Sequence, residues 1–198
     1  AKFIRKDIHG RNIELIQSIK DRYSPRAFSD KKMEKEKIDA MFEAARWAPS
    51  SSNGQAWRFI YATKDNTELW NKLFDSLVDF NQKWAKTADM LILTAVTKEH
   101  EFKKGPYPHN WHDLGLAVGN MMNQVTAMGL YMHQMGGFDP EKAAKNVNLP
   151  DKYEAVTMIA VGYKGSLDVL PENFHEMEKQ KSDRKPTEEI VFNKSFKK

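Results

Sequence analysis

Residues 114–138 read LGLAVGNMMNQVTAMGLYMHQMGGF, and no Asp, Glu, Lys or Arg interrupts them. Only His133 can carry charge there, in a chain that is 29% charged. Leu114, Val118, Met121, Val125 and Met128 recur at spacings of three and four, the helical period. The other faces carry Ala117, Met122 and Ala127, so the run predicts a central core helix buried on most sides. Gly115, Gly119, Asn120, Asn123, Gln124 and Gly129 argue against a membrane span, because lipid would leave those amides unpaired. Gly115 and Gly119 let another backbone come close. At the exit of the run stand Gly136 and Gly137, where a bare backbone can approach a ligand, and chemistry is expected at that end.

Outward from this run, helical and strand patterns alternate. Met90–Val96 is a continuous apolar stretch and reads as a buried strand. Arg58–Thr63 alternates, with Phe59 and Tyr61 on one face, and Ala155–Tyr163 is a further strand. Leu69, Leu73, Leu77, Phe80 and Trp84 mark one helix, which carries Asn81. Ser29-Asp30 precedes a helix through Ile38, Met41, Phe42 and Ala45, and Ile13, Ile16 and Ile19 start a short amphipathic one. Asp139-Pro140-Glu141 has the signature of a helix start: an N-cap, an N1 proline and an acidic first turn. Ile190 and Phe192 alternate as a candidate last strand. Residues 1–12 are expected to form a polar N-terminal arm, and residues 98–110 an irregular loop.

At 198 residues the chain suits one domain over 1–198. It has no cysteine, hence no disulfide framework and no thiolate nucleophile. The first twenty residues lack the apolar core of a signal peptide, so a reducing cytoplasm is the expected location. A net charge of +4 invites a nucleic-acid reading. Residues 179–198, however, hold seven Lys or Arg against three Asp or Glu, which accounts for the whole excess. No basic stripe marks a folded face, so no nucleic-acid partner is expected. There is no dinucleotide glycine signature, no Walker loop, no nucleophile elbow and no His-Glu-x-x-His. His109 and His112 are a helical turn apart, but no third ligand is placed nearby, and no metal site is expected.

Two polar clusters remain. In Arg22-Tyr23-Ser24-Pro25-Arg26 the proline fixes an extended or turned backbone, from which two guanidinium forks project. Such forks match phosphate oxygens, although paired surface arginines have the same appearance. Ser50-Ser51-Ser52-Asn53-Gly54-Gln55 lies between Trp47 and Trp57. Flanking aromatics suggest a packed loop, whose polar groups then need partners.

These pieces, taken in order, resemble the FMN-dependent nitroreductase family. The resemblance rests on Arg22–Arg26 with Phe28, then Ala48–Trp57, Asn81, Gly129-Leu130, Gly136-Gly137-Phe138-Asp139, Leu149-Pro150, Val161-Gly162-Tyr163 and Arg184-Lys185-Pro186. It implies an α+β fold, a mainly antiparallel sheet surrounded by helices, and an intertwined homodimer. Its C-terminal arm, residues 187–198, would cross onto the partner subunit. By the same resemblance Arg22, Tyr23, Ser24 and Arg26 would hold the phosphate, ribityl chain and pyrimidine edge of FMN. Pro49, Ser50, Ser51 and Asn53 would reach it from the other subunit, and Asn81 would bond its pyrimidine side. Gly136 and Gly137 would offer backbone N–H groups near the flavin N5, and Arg184 with Lys185 would complete the phosphate cage.

The implied activity is NAD(P)H oxidation with ping-pong hydride transfer to a nitroaromatic, quinone or similar electron-poor acceptor. A flavin carries that chemistry itself, which agrees with the lack of an acid–base dyad in the sequence. Dehydrogenation or reductive dehalogenation on the same scaffold is the alternative, followed by a non-enzymatic basic binding protein. Phe102, Tyr107 and Trp111 are the expected lid and substrate pocket. Three departures from the family pattern stand out: Ala56 where proline is common, Gly136 where some members carry Glu, and Trp84 where some carry Lys.

Overall fold

The computed structural model describes residues 5–6, 12–180 and 182–196. Strand β4 (Met90–Thr97) is buried along its whole length, and its two apolar faces dictate a layered architecture. It pairs antiparallel with β3 (Trp57–Thr63) on one side and β6 (Tyr153–Gly162) on the other. Strand β5 (Tyr131–Met135) closes the far edge, giving the order β3-β4-β6-β5, every pair antiparallel. The register slips between Thr94 and Ala95, where the Thr94 hydroxyl accepts the Thr157 N–H at 3.0 Å and lies 2.8 Å from the Thr157 hydroxyl. A polar pair, buried on the Thr94 side, thus mends the ladder at its bulge.

From β4, Met90, Ile92 and Val96 face one core, shared with helices α2 (Lys35–Arg46) and α5 (Asn110–Ala127). Leu91 and Leu93 face a second core, shared with α3 (Thr67–Phe74), α4 (Asp79–Ala85) and α6 (Pro140–Asn146). The α6 start is as read: Asp139 accepts the Lys142 N–H at 2.9 Å, and Pro140 occupies the first turn. Helix α7 (His175–Lys179) lies near the C-terminus. The expected α+β class and antiparallel sheet are observed.

Several expectations are corrected. The neutral run is not one helix. Helix α5 stops at Ala127, Gly129 takes the left-handed region at φ +76°, and the chain turns into β5. Bonds from Leu130 N to Val125 O and from Gly129 N to Thr126 O form a Schellman cap. Residues 69–84 likewise form two helices. Between them Leu77 bridges to Phe138, and Val78 N–H donates to Gly137 O at 3.1 Å, so this break brings the chain to the two glycines. Helix α2 begins at Lys35 rather than directly after Ser29-Asp30, because Met33 N–H first binds the buried Asp89 carboxylate at 2.8 Å. Helix α1 spans Gln17–Asp21 only, with Ile13 in a small strand β2 (Asn12–Ile13) that pairs with β1 (Arg5–Lys6). The rest of the expected N-terminal arm lies outside the described residues. Ile190 and Phe192 are exposed and form no strand with this chain.

Candidate functional site

The Arg22–Arg26 turn is extended, and it is held from three directions. Glu178 of α7 accepts both the Arg26 N–H (2.8 Å) and the Ala27 N–H (3.3 Å). Ser29 N–H and Gly165 N–H bond Tyr163 O and Ala27 O, at 2.9 and 2.8 Å. His133 of β5 has Nδ1 3.0 Å from Pro25 O, and since a carbonyl only accepts, Nδ1 carries the proton. Burial pushes the His133 pKa down. The Pro25 bond opposes this, and the neighbouring Arg26 charge adds to the lowering. Arg26 Nε is buried with no hydrogen-bond partner. Tyr23 packs edge-on against Tyr131 at 5.2 Å, and Lys164 Nζ lies 5.4 Å from its ring centre.

From His133 the contacts run on without a gap. Its ring lies 4.5 Å from the fully buried Trp84, whose indole N–H donates to Asn81 Oδ1 at 3.2 Å. Asn81 Nδ2 donates to Gly137 O at 2.9 Å. The amide orientation is therefore fixed, with one N–H and one lone pair left to offer. A Cβ on Gly137 would stand 2.7 Å from Asn81 Nδ2, whereas one on Gly136 meets nothing within 4 Å. One glycine is demanded by packing; the other faces open space. The structure thus joins Pro25, the neighbour of Arg26, through His133 and Trp84 to Asn81 and Gly137 in one line of contacts, with Gly136 next to its end.

The second polar cluster belongs to the opposite side of the sheet, where Ala48 and Trp57 pack in the α2/α5 core. Ser52, Asn53 and Gln55 all have left-handed backbone, at φ 50°, 54° and 48°. For residues other than glycine that region costs roughly 1–2 kcal/mol each, least for Asn. The loop is bound to α5 through Asp113, 2% exposed, whose carboxylate accepts the Ser51 N–H at 2.9 Å and the Tyr107 O–H at 2.5 Å. Tyr107 also lies 3.1 Å from Ser51 O, and its ring fills the space where a Cβ on Gly54 would stand. Ser50 Oγ accepts the Gln55 N–H at 3.0 Å. Burial opposes the Asp113 charge, but hydrogen bonds from Tyr107, the Ser51 N–H and His112 outweigh it and hold the carboxyl below its ordinary range. Burial first, then Asp113, pushes the Tyr107 phenol up to about 12.

Tyr107 is therefore not an exposed lid residue: at 3% exposure it is an anchor under the loop. Phe102 and Trp111 are exposed, at 69% and 53%. Phe102 sits at the loop tip beside Lys103, whose Nζ reaches Ser52 Oγ. Among the described residues Arg184 bonds to Ser182 and Asp183 in the exposed tail, and neither it nor Lys185 has a bond to the arginine turn. Asp113, Glu178 and His133 had no role in the sequence reading. Two faint signals existed: Asp113 is the last charge before the neutral run, and His133 the only group within it that can carry positive charge. Glu178 had none.

With this geometry in hand, comparison with known proteins places the chain in an enzyme class. The model of the nitroreductase family matches residues 19–163, and the chain belongs to that family. It is an oxidoreductase. The oxygen-insensitive NAD(P)H nitroreductase of Salmonella typhimurium is 26% identical, with 76% of this chain and 89% of that protein covered. The FMN reductase [NAD(P)H] of Bacillus subtilis is 25% identical, over 76% and 66%. A crystal structure of an oxidoreductase containing FMN superposes with a TM-score of 0.87 at 33% identity, covering 94% of this chain and 95% of that one.

Proposed function

We propose that the protein is an FMN-dependent NAD(P)H oxidoreductase that reduces electron-poor acceptors such as nitroaromatics and quinones. The observation that carries this reading is the unbroken line of contacts Pro25–His133–Trp84–Asn81–Gly137, which starts at the residue beside Arg26. Its unused bonding capacity suits a flavin. Arg26 Nε is a buried donor without a partner, Asn81 has one donor and one acceptor to spare for a heteroaromatic edge, and Gly136 leaves room for a flat ring. When bound, FMN would relay a hydride equivalent from reduced nicotinamide to the acceptor.

The residues of this chain then bind and orient. Arg22, Tyr23, Ser24 and Arg26 hold the phosphate, the ribityl chain and the pyrimidine edge, and a neutral His133 keeps the charge there to that of the arginines. Asn81 bonds the pyrimidine side, and Gly136 and Gly137 supply backbone N–H groups. Arg184 and Lys185 join the phosphate cage only once the tail is ordered against it. Phe102 covers the acceptor.

Pro49, Ser50, Ser51 and Asn53 pack on the opposite face of the sheet from the Arg26 line, so a second copy of the chain would have to bring them to it. Two features support such a homodimer. Gly115 and Gly119 on α5 have nothing within 4 Å of where a Cβ would stand, and Ile190, Val191, Phe192 and Phe196 of the tail are exposed. Among the described residues no helix is long and apolar enough to cross a membrane.

The test is an absorbance spectrum of the purified protein, followed by anaerobic addition of NADH or NADPH. A two-banded flavin spectrum that bleaches is expected. A flavin that stays oxidised would move the reading to another donor or to dehydrogenation chemistry. A colourless protein that takes up no added FMN would overturn it.

A further inference from the structure

The loop at 50–55 carries three left-handed residues other than glycine within four positions, and such a backbone persists only where its surroundings over-determine it. Besides the exposed Lys103 Nζ on Ser52 Oγ, the ties from outside the loop are few. One buried carboxylate, Asp113, accepts from Ser51 N and Tyr107 Oη, and the Tyr107 ring lies directly under Gly54. Tyr107 is in turn fixed by its own N–H, which donates to Lys98 O at 3.0 Å. Arg58 adds a looser tie, spanning Gln55 O at 3.0 Å and Glu101 at 2.7 Å.

We infer that Asp113 and Tyr107 are positioning residues that hold the 50–55 loop in its cofactor-contacting shape. The inference rests on the reading of Pro49, Ser50, Ser51 and Asn53 as flavin contacts, and it gives Tyr107 a different task from Phe102. Without the clamp the loop relaxes toward ordinary backbone, and the cofactor must then reorder it on binding. Phe102 at the tip has no part in this. Its loss alters which acceptors are preferred, whereas loss of the Tyr107 hydroxyl alters how tightly FMN is held.

The experiment uses the full-length chain as Tyr107→Phe and Asp113→Asn, with Phe102→Ala for contrast. Amide hydrogen exchange is followed at Ser51 and Gln55 and, as a control, in β4, first without FMN. FMN affinity is then measured by fluorescence titration. Tyr107→Phe, which keeps the ring under Gly54, should speed exchange at Ser51 about tenfold and weaken FMN by a similar factor, with β4 unchanged and the ranking of acceptors preserved. Asp113→Asn should do more, and Phe102→Ala should do neither. Unchanged exchange at Ser51 in Tyr107→Phe would overturn the clamp. So would equal acceleration in β4, which would mean general destabilisation, or faster loop exchange with unaltered FMN affinity. If the unsubstituted protein takes up no FMN, the flavin reading fails by itself, and the exchange data still decide whether the clamp holds the loop.

Discussion

The two halves of the candidate site are kept in place by different means. The Arg26–Gly137 half has ordinary backbone and is built from buried and half-buried, mostly neutral groups: an imidazole, an indole, a carboxamide and a glycine whose added Cβ would strike that carboxamide. Each meets the next through a tilted ring contact or a hydrogen bond, and the line is seated against the apolar core. The 50–55 half has strained backbone and depends chiefly on one buried charged group, Asp113. The first is rigid because it is packed, the second because it is tied. A packed site fails with its core; a tied site can let go while the core stands.

The largest way to break this contrast is Trp84→Ala. Emptying a fully buried indole position should cost about 3–5 kcal/mol, read as the midpoint of chemical denaturation. A loss under 1 kcal/mol would mean that the line is not part of the core. Next comes Gly137→Ala, whose methyl would meet Asn81 and Val78. It should cost about 1–3 kcal/mol, whereas Gly136→Ala should stay within about 0.5 kcal/mol, both by thermal melting. Equal effects at the two glycines would contradict the placement of Asn81.

Acid should separate the halves along the pH axis. Burial keeps His133 neutral in the fold, so its folded pKa lies below the ordinary value of about 6.5. The unfolded chain then binds more protons in that window. Stability from this group is fully present above about pH 6.5 and is lost as pH falls toward the folded value. Asp113 has the usual carboxylate sign: its contribution is present above about pH 3.9 and is lost only as pH falls through its lowered folded pKa. Melting temperatures between pH 7.5 and 5.5 should therefore drop in the parent and flatten in His133→Gln. Parallel curves would remove His133 from the account. The smallest effect is expected from Phe102→Ala: stability within about 0.5 kcal/mol, with a change confined to acceptor KM in steady-state kinetics.

What could be read from the sequence follows from the range of the interactions. The α5 period is local and was legible up to Met128, and the start of α6 at Asp139-Pro140 is a local signal too. The strand after Gly129 was hidden because a buried helix and a buried strand both tolerate an uncharged run. The split between α3 and α4 was hidden for a related reason. Leu77 keeps the helical spacing but spends it on a bridge to Phe138, far along the chain. At the site, Arg26, Asn81 and Gly137 stood out by residue type. Their supports did not, because Glu178 and Asp113 act across 152 and 62 residues on backbone N–H groups that any sequence possesses. Tyr107 was misread as a lid residue for the same reason, since an aromatic in a polar loop gives no sign of the carboxylate waiting for its hydroxyl.

The grip of Glu178 on the arginine turn also sets a schedule for biosynthesis. The carboxylate partner of the Arg26 N–H follows it off the ribosome by 152 residues, roughly 8–30 s of synthesis at 5–20 residues per second. Until then the turn lacks Glu178, and for most of that interval it also lacks the Tyr163 and Gly165 backbone, so its arginines sample solvent on a nascent chain. The arginine turn is thus completed only after the segment carrying Glu178 has been made, and a chain ending before Glu178 would lack that hold.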